Sequence, residues 1–196
     1  MTRYLTIALL LACSAPAARA DTIVLAGGCF WGVQAVFEHT KGVSKAVAGY
    51  AGGEAATAHY DDVSSGTTGH AESVEVTYDP AKITLPELLD IYFQVAHNPT
   101  ELNYQGPDHG TQYRSAIFTT TPEQSEIARQ KIAELEKTKR FSGPIVTTVA
   151  PLRAFYPAED YHQDFARLHP NHPYIAFYDL PKLQALQERF PTYYVK

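Results

Sequence analysis

The stretch with the clearest chemical potential is Gly27-Gly28-Cys29-Phe30-Trp31-Gly32, a thiol beside two aromatic rings. It follows Thr22-Ile23-Val24-Leu25-Ala26, a β-branched run with the composition of a buried strand. After it come Val33, Val36 and Phe37, apolar positions at helical spacing, and then the stop signal Lys41-Gly42. Cys29 is therefore expected where a strand ends and a helix begins. The glycines let the chain turn there without a Cβ penalty. Free amide hydrogens and the positive end of the helix dipole would favour a thiolate. That is the setting of an activated cysteine nucleophile, although a lone buried cysteine is more often a small hydrophobe than a catalyst.

Glu72 is the next informative residue. In the strand Glu72–Tyr78 alternate residues share a face, so Glu72 lies with Val74, Val76 and Tyr78. A glutamate on that apolar side is partly desolvated, its pKa rises, and it can act as a general acid. The competing reading is a strand-edge glutamate that faces water. Phe30 and Trp31 can line an apolar pocket or pack in the core. Tyr60, Tyr104 and Tyr113 place phenols in long loops, where they could donate to a substrate oxygen. The chain has thirteen tyrosines, however, so any one of them is more often a packing residue. His162, His169 and His172 match no strong zinc spacing and read as surface or capping residues.

The first twenty residues read as a secretory signal peptide, with Arg3, an apolar core from Leu5 to Ala12, and the small-x-small site Ala18-Arg19-Ala20. A lipoprotein signal with lipid on Cys13 is the weaker alternative. Cleavage removes two arginines and no acid, taking the formal charge from −5 to −7. Such a balance argues against nucleic acid as a partner. The protein is expected to be exported, to the periplasm, with residues 21–196 forming one catalytic domain. Of the two cysteines only Cys29 would then remain free in that domain. A free thiol in an exported protein points to reactivity rather than to a disulfide framework.

Strand patterns cover Thr22–Ala26, Val43–Tyr50, Glu72–Tyr78, Ser115–Thr119 and Ile145–Val149. Helical patterns open at Cys29, run from Leu85 to Ala96 behind the capping box Thr84-Leu85-Pro86-Glu87, and run from Pro122 to Lys137. Shorter helices are expected around Ala158–Arg167 and Lys182–Arg189. The order β-α-β-β-α-β is that of a ferredoxin-like two-layer α/β sandwich, here extended by a helix and strand into a mixed sheet. The connections Ala51–Gly69 and His97–Tyr113 are too long for plain linkers and are expected to fold over Cys29.

Five motifs occur in order: Gly28-Cys29-Phe30-Trp31-Gly32, Gly49-Tyr50-Ala51-Gly52-Gly53, Thr68-Gly69-His70-Ala71-Glu72, Asp108-His109-Gly110-Thr111-Gln112-Tyr113-Arg114-Ser115 and Ala158-Glu159-Asp160-Tyr161-His162-Gln163. Together they closely resemble the A-type peptide-methionine sulfoxide reductases, from about Thr22 to His172. The resemblance implies reduction of the S epimer of methionine sulfoxide, free or in oxidised proteins, with no bound cofactor or metal. It implies Cys29 as nucleophile and Glu72 as proton donor, with Tyr60 and Tyr113 bonding the sulfoxide oxygen. Phe30 and Trp31 would hold the S-methyl group, Asp108 would order a water or neighbouring groups, and His70 would belong to the substrate-binding set. The reductant would be an external thiol, a thioredoxin-like protein or a small thiol, acting on a monomer. Gln34 stands where the family often has glutamate and is not expected to affect the chemistry. The tail lacks the recycling cysteine of many relatives, which leaves the regeneration route open.

Two other readings remain at this stage. A cysteine hydrolase or acyltransferase would pair Cys29 with an imidazole base at His70, His97 or His109. A binding or chaperone module would use the Phe30–Trp31 cage without turnover.

Overall fold

A computed structural model describes residues 20–196; the expected signal segment up to residue 19, with Cys13, lies outside the described residues. Strand β1 (Asp21–Ala26) runs to the glycine pair and gives way to α1 (Phe30–Glu38). Strands β2 (Val43–Ala51) and β3 (Ala71–Tyr78) follow, separated by a loop that carries one helical turn, α2 (Tyr60–Val63). Helix α3 (Leu85–Ile91) then leads through a two-residue-strand hairpin, β4 (Tyr104–Gln105) and β5 (Asp108–His109), to β6 (Ala116–Thr119). Strand β3 pairs antiparallel with both β1 and β2, and β6 pairs antiparallel with β1. The order β6-β1-β3-β2 is that of the expected ferredoxin-like sandwich, in which β3 splits the β1–α1–β2 crossover.

Beyond this frame, α4 (Pro122–Lys137) leads to β7 (Thr148–Pro151), parallel to β6. Strand β8 (Phe155–Pro157) caps the far edge beside β2, which makes a six-stranded mixed sheet. One face of the sheet carries Ile23, Leu25, Val74, Val76 and Tyr78 against Phe37 of α1 and Leu88 and Leu89 of α3. The other face is smaller, built from Val24, Ala26, Ala71 and Phe118. Glu72 therefore belongs to the helix-covered face, as its alternation with Val74 and Val76 requires.

Three elements depart from their expected bounds, each for a local reason. The strand expected over Ile145–Val149 begins only at Thr148, because Val146 N–H is bonded to Pro99 O, outside the sheet. The helix from Leu85 widens to a π-turn over Tyr92–Ala96, where Tyr92 donates its hydroxyl to Ala26 O (2.7 Å) beside the cysteine turn. No continuous helix spans Ala158–Arg167. Gln163 instead lies extended, its amide bonded to Ala48 N, Ala48 O and Ala158 O, and Asp164 turns left-handed (φ 56°). Only the single turn α5 (Phe165–Leu168) follows, before a π-turn over Ile175–Asp179 and helix α6 (Leu180–Arg189).

Strand β8 was not expected from the sequence, and it sets a steric limit on β2. A Cβ on Gly49 would sit 2.4 Å from Tyr156 O and 2.4 Å from the Phe155 ring. Backbone cannot yield as a flexible side chain does, so Gly49→Ala should destabilise the protein by about 1–3 kcal/mol. Thermal or urea unfolding measures this; an unchanged midpoint would contradict the close β2–β8 approach.

Candidate active site

The cysteine turn is shaped by its neighbours. Gly28 has φ +91°, a conformation only glycine adopts freely, and a Cβ there would also strike Gln105 at 2.7 Å. The turn leaves Cys29 as N-cap of α1, with φ −53° and ψ 123°. The thiol is free and half-buried. It opens into a cavity of about 180 Å³ lined by Phe30, Trp31, Tyr60, Glu72, Asp108, Tyr113 and Tyr174. That is smaller than the roughly 300–1,000 Å³ of sites for drug-sized ligands and suits one side chain. A larger cleft of about 540 Å³ lies between the start of β1, α3 and α4, but no cysteine, histidine or buried carboxylate lines it.

Glu72 is 3% exposed, and its Oε2 accepts the Phe30 backbone N–H at 3.0 Å. Phe30, the residue after the nucleophile, thus clamps the carboxyl group to the first turn of α1. Burial raises the Glu72 pKa to about 8; the Phe30 bond opposes this and the charge of Asp108 adds to it. Glu72 is therefore a neutral acid at pH 7. Burial likewise pushes the Cys29 thiol well up, helped by the charges of Glu72 and then Asp179, while the Trp31 N–H and Lys182 pull it down. The expected resting thiolate is thus corrected: the helix amide lowers the pKa, but desolvation and two carboxyl groups outweigh it.

The two long loops supply the remaining walls. The first brings in Tyr60, whose backbone N–H donates to Glu159 Oε1 (3.0 Å). The second brings in Asp108 and Tyr113. Burial, and then the charge of Glu72, raises both phenols, so they stay O–H donors. Trp31 stacks on Phe165 (3.8 Å between ring centroids, 11° between planes) and meets Tyr174 edge-on, which fixes the aromatic side of the cavity. A small cavity therefore presents one thiol, the neutral carboxylic acid of Glu72, a second carboxyl group at Asp108, three phenols and an aromatic wall.

The profile of the peptide methionine sulfoxide reductases matches residues 21–193. This chain belongs to that family. It is 58% identical over 174 residues to the peptide methionine sulfoxide reductase MsrA 2 of Mesorhizobium japonicum, covering 89% of each chain. Among solved structures it resembles reduced Mxr1 of Saccharomyces cerevisiae, with a TM-score of 0.73 and 34% identity over 81% of this chain and 90% of that one. Mxr1 in complex with Trx2 matches with a TM-score of 0.53 and 27% identity, covering 80% of this chain and 91% of the other.

In this reductase seven of the eight expected site residues converge on one cavity, and His70 does not. Its Nδ1 accepts the Gly53 N–H (3.3 Å) and its Nε2 lies 3.0 Å from Glu54 O, so it braces the first loop. The other candidate bases are also engaged elsewhere. His97 sits between Tyr92 O and Ser115 Oγ, and burial lowers its pKa to about 3, too low for a base at neutral pH. His109 stacks on the exposed Tyr104. Among the described residues no group of three His, Cys, Asp or Glu side chains is placed to hold a metal ion.

Sequence reasoning missed two parts of this reductase's site. Tyr174 lines the cavity and donates its hydroxyl to Asp108 Oδ2; it lies two residues past His172, where the resemblance ends, with no local signal to mark it. His162 is 2% exposed rather than a surface residue. Its Nδ1 accepts Trp31 Nε1–H (3.1 Å), and its ring packs on Tyr60 at 4.4 Å. The pairing was hidden because the two residues lie 131 positions apart. Gln34, expected to be bland, is 1% exposed and donates to Ala46 O while accepting from Asp164 N. It ties α1 to the C-terminal segment and takes no place in the cavity.

Proposed function

We propose that this reductase transfers the oxygen of methionine (S)-sulfoxide, free or in oxidised proteins, to Cys29 as a sulfenic acid. The observation that carries this reading is the buried neutral carboxyl group of Glu72 sharing a side-chain-sized cavity with the only described cysteine. A sulfoxide oxygen is a poor leaving group until protonated, so attack on sulfur needs an acid on the oxygen side. Phe30 and Trp31 take the S-methyl group, and the Tyr60 and Tyr113 hydroxyls donate to the oxygen. Asp108, through its bond to Tyr174, holds the wall beside Trp31. Fixed aromatic and polar sides select one sulfur epimer.

Cys29 and Glu72 work as a pair that must lose one proton between them. The reactive form is a Cys29 thiolate facing protonated Glu72. The thiolate attacks the sulfoxide sulfur while Glu72 gives its proton to the oxygen. The S–O bond breaks, the hydroxyl passes to Cys29 Sγ and the thioether leaves. Substrate sulfur gains two electrons and the Cys29 sulfur loses two, leaving a sulfenic acid.

Regeneration falls to an external thiol, because residues 30–196 contain no second cysteine. The yeast relative captured with Trx2 supports a thioredoxin-like donor. The N-terminal signal pattern supports export to an oxidising compartment, where methionine repair has clear use. Without added thiol, substrate should give one methionine per enzyme and a sulfenic acid that dimedone traps. More than one methionine per site would overturn the single-cysteine cycle.

A further inference from the structure

Four exposed apolar side chains, Leu102, Tyr104, Phe177 and Tyr178, sit on the two segments that meet at the cavity wall. Leu102 and Tyr104 belong to the second loop, and Phe177 and Tyr178 to the π-turn that follows Tyr174. Phe177 is 73% exposed, more than any other large apolar residue described. A single exposed hydrophobe needs no explanation, but a connected group beside a reactive cavity marks a surface that something covers.

Contacts join these rings to one another and to the cavity. Tyr174, which lines it, shares one face of a helical turn with Phe177 and Tyr178, three and four residues on. The Tyr174 and Tyr178 ring centroids are 5.0 Å apart, and Phe177 meets Tyr178 edge-on at 4.9 Å. Tyr178 also reaches the second loop, where a Cβ on Gly106 would lie 4.0 Å from its Cδ1. Gly106 is in the turn between β4 and β5, whose paired residues Tyr104 and His109 stack at 5.5 Å. The hydroxyl of Tyr174 closes the circuit by donating to Asp108 Oδ2 on β5. The carboxyl groups beside this shelf are committed, Asp108 to Tyr174, Asp179 to Lys182, and Glu101 to Asn98 and the Gly106 N–H. What the shelf presents is aromatic surface.

The cavity takes one side chain, so a polypeptide that inserts an oxidised methionine must leave its neighbouring residues at the mouth. Extended chain rises about 3.3 Å per residue, which puts a residue two or three positions away about 7–10 Å from the sulfoxide-bearing one. Through the two ring contacts, Phe177 lies within about 10 Å of the Tyr174 ring, on the same scale. We propose that Phe177, Tyr178 and Tyr104 form a subsite for an apolar residue two or three positions from the oxidised methionine in a polypeptide substrate. The inference rests on the oxygen-transfer reading and adds the class of segment the enzyme prefers. A leucine or phenylalanine laid on the shelf takes both surfaces out of water, whereas serine there gains nothing.

Heptapeptides with a central methionine (S)-sulfoxide in a serine background test this, with leucine placed singly two or three residues before or after the centre. Free methionine (S)-sulfoxide is assayed beside them, all with dithiothreitol as reductant. At least one leucine position should raise kcat/KM about tenfold over the all-serine peptide, the scale of one apolar anchor in an interface. Phe177→Ser should erase that gain while turnover of the free sulfoxide is unchanged, and so exposed a residue can be replaced without disturbing the fold. Tyr104→Ser, on the other segment, should diminish the same gain. Equal kcat/KM for every peptide in the parent would overturn the proposal, as would a leucine gain that survives in both variants. A Phe177→Ser defect that appears only when a thioredoxin replaces dithiothreitol would also overturn it, making the shelf a dock for the reductant. Failure of the parent to reduce even the free sulfoxide would instead overturn the oxygen-transfer reading, and this proposal with it.

Discussion

Replacing Cys29 with serine should abolish methionine sulfoxide reduction, with a loss of at least about 10⁴-fold, while leaving the fold intact. Serine is close to isosteric at this N-cap position and satisfies a helix start at least as well as cysteine. The chemistry, by contrast, has no substitute. An alcohol at the helix N-terminus stays protonated near neutral pH, and its oxygen cannot accept a second oxygen without forming a peroxide. Circular dichroism should overlay that of the parent, and a coupled assay with dithiothreitol should show no methionine above background. Turnover within about tenfold of the parent by a folded Cys29→Ser protein would rule out sulfur as the oxygen acceptor.

Glu72→Gln should move two readouts in opposite directions. The amide keeps the shape and can still accept the Phe30 N–H, but it has no proton to give. Single-turnover reduction should therefore fall by about 10²–10⁴-fold, the usual contribution of a general acid. Alkylation of Cys29 at alkaline pH should become faster, because the carboxylate that raises the thiol pKa is gone. In the parent, oxygen transfer should rise as pH approaches about 8, where the Cys29–Glu72 pair loses its first proton, and fall once both groups are ionised. The variant should lack the falling limb.

The same group has a stability signature. Its folded pKa of about 8 lies above the usual 4.5, so its contribution is fully present below pH 4.5 and is lost as pH rises through 8. Glu72→Gln should remove that loss, which accumulates between about pH 4.5 and 8. A variant that slows reduction less than tenfold would show that Glu72 is not the proton donor.

How much of this could be read in advance depended on how local the cause was. Cys29 at a strand–helix junction followed from a β-branched run, two glycines and the spacing of Val33, Val36 and Phe37, all within eight residues of the thiol. Glu72 on the apolar face followed from the period of two in β3. The order of elements sufficed for the ferredoxin-like frame, because a β-α-β-β-α-β chain has few unknotted, right-handed ways to close one sheet. The motifs then joined Cys29, Glu72, Tyr60, Asp108 and Tyr113 into one expected site.

What only the tertiary structure decided was set by groups far apart in the chain. The protonation state of Cys29 is the clearest case. The sequence shows a helix start, which lowers a thiol pKa, but not the burial and the Glu72 and Asp179 charges that raise it further. His162 became an interior partner of Trp31, and Tyr174 a cavity wall, because the C-terminal segment folds back over α1. His70 left the substrate set because the glycines at 52 and 53 bring their loop onto its ring. Nothing in the local sequence singles out Asp179 and Lys182, three residues apart, and only the fold brings the pair against Gly32. Periodicity reports which face of an element is buried. It carries no information about which distant charge that face will meet, and that charge sets whether a cysteine is an inert thiol or a nucleophile.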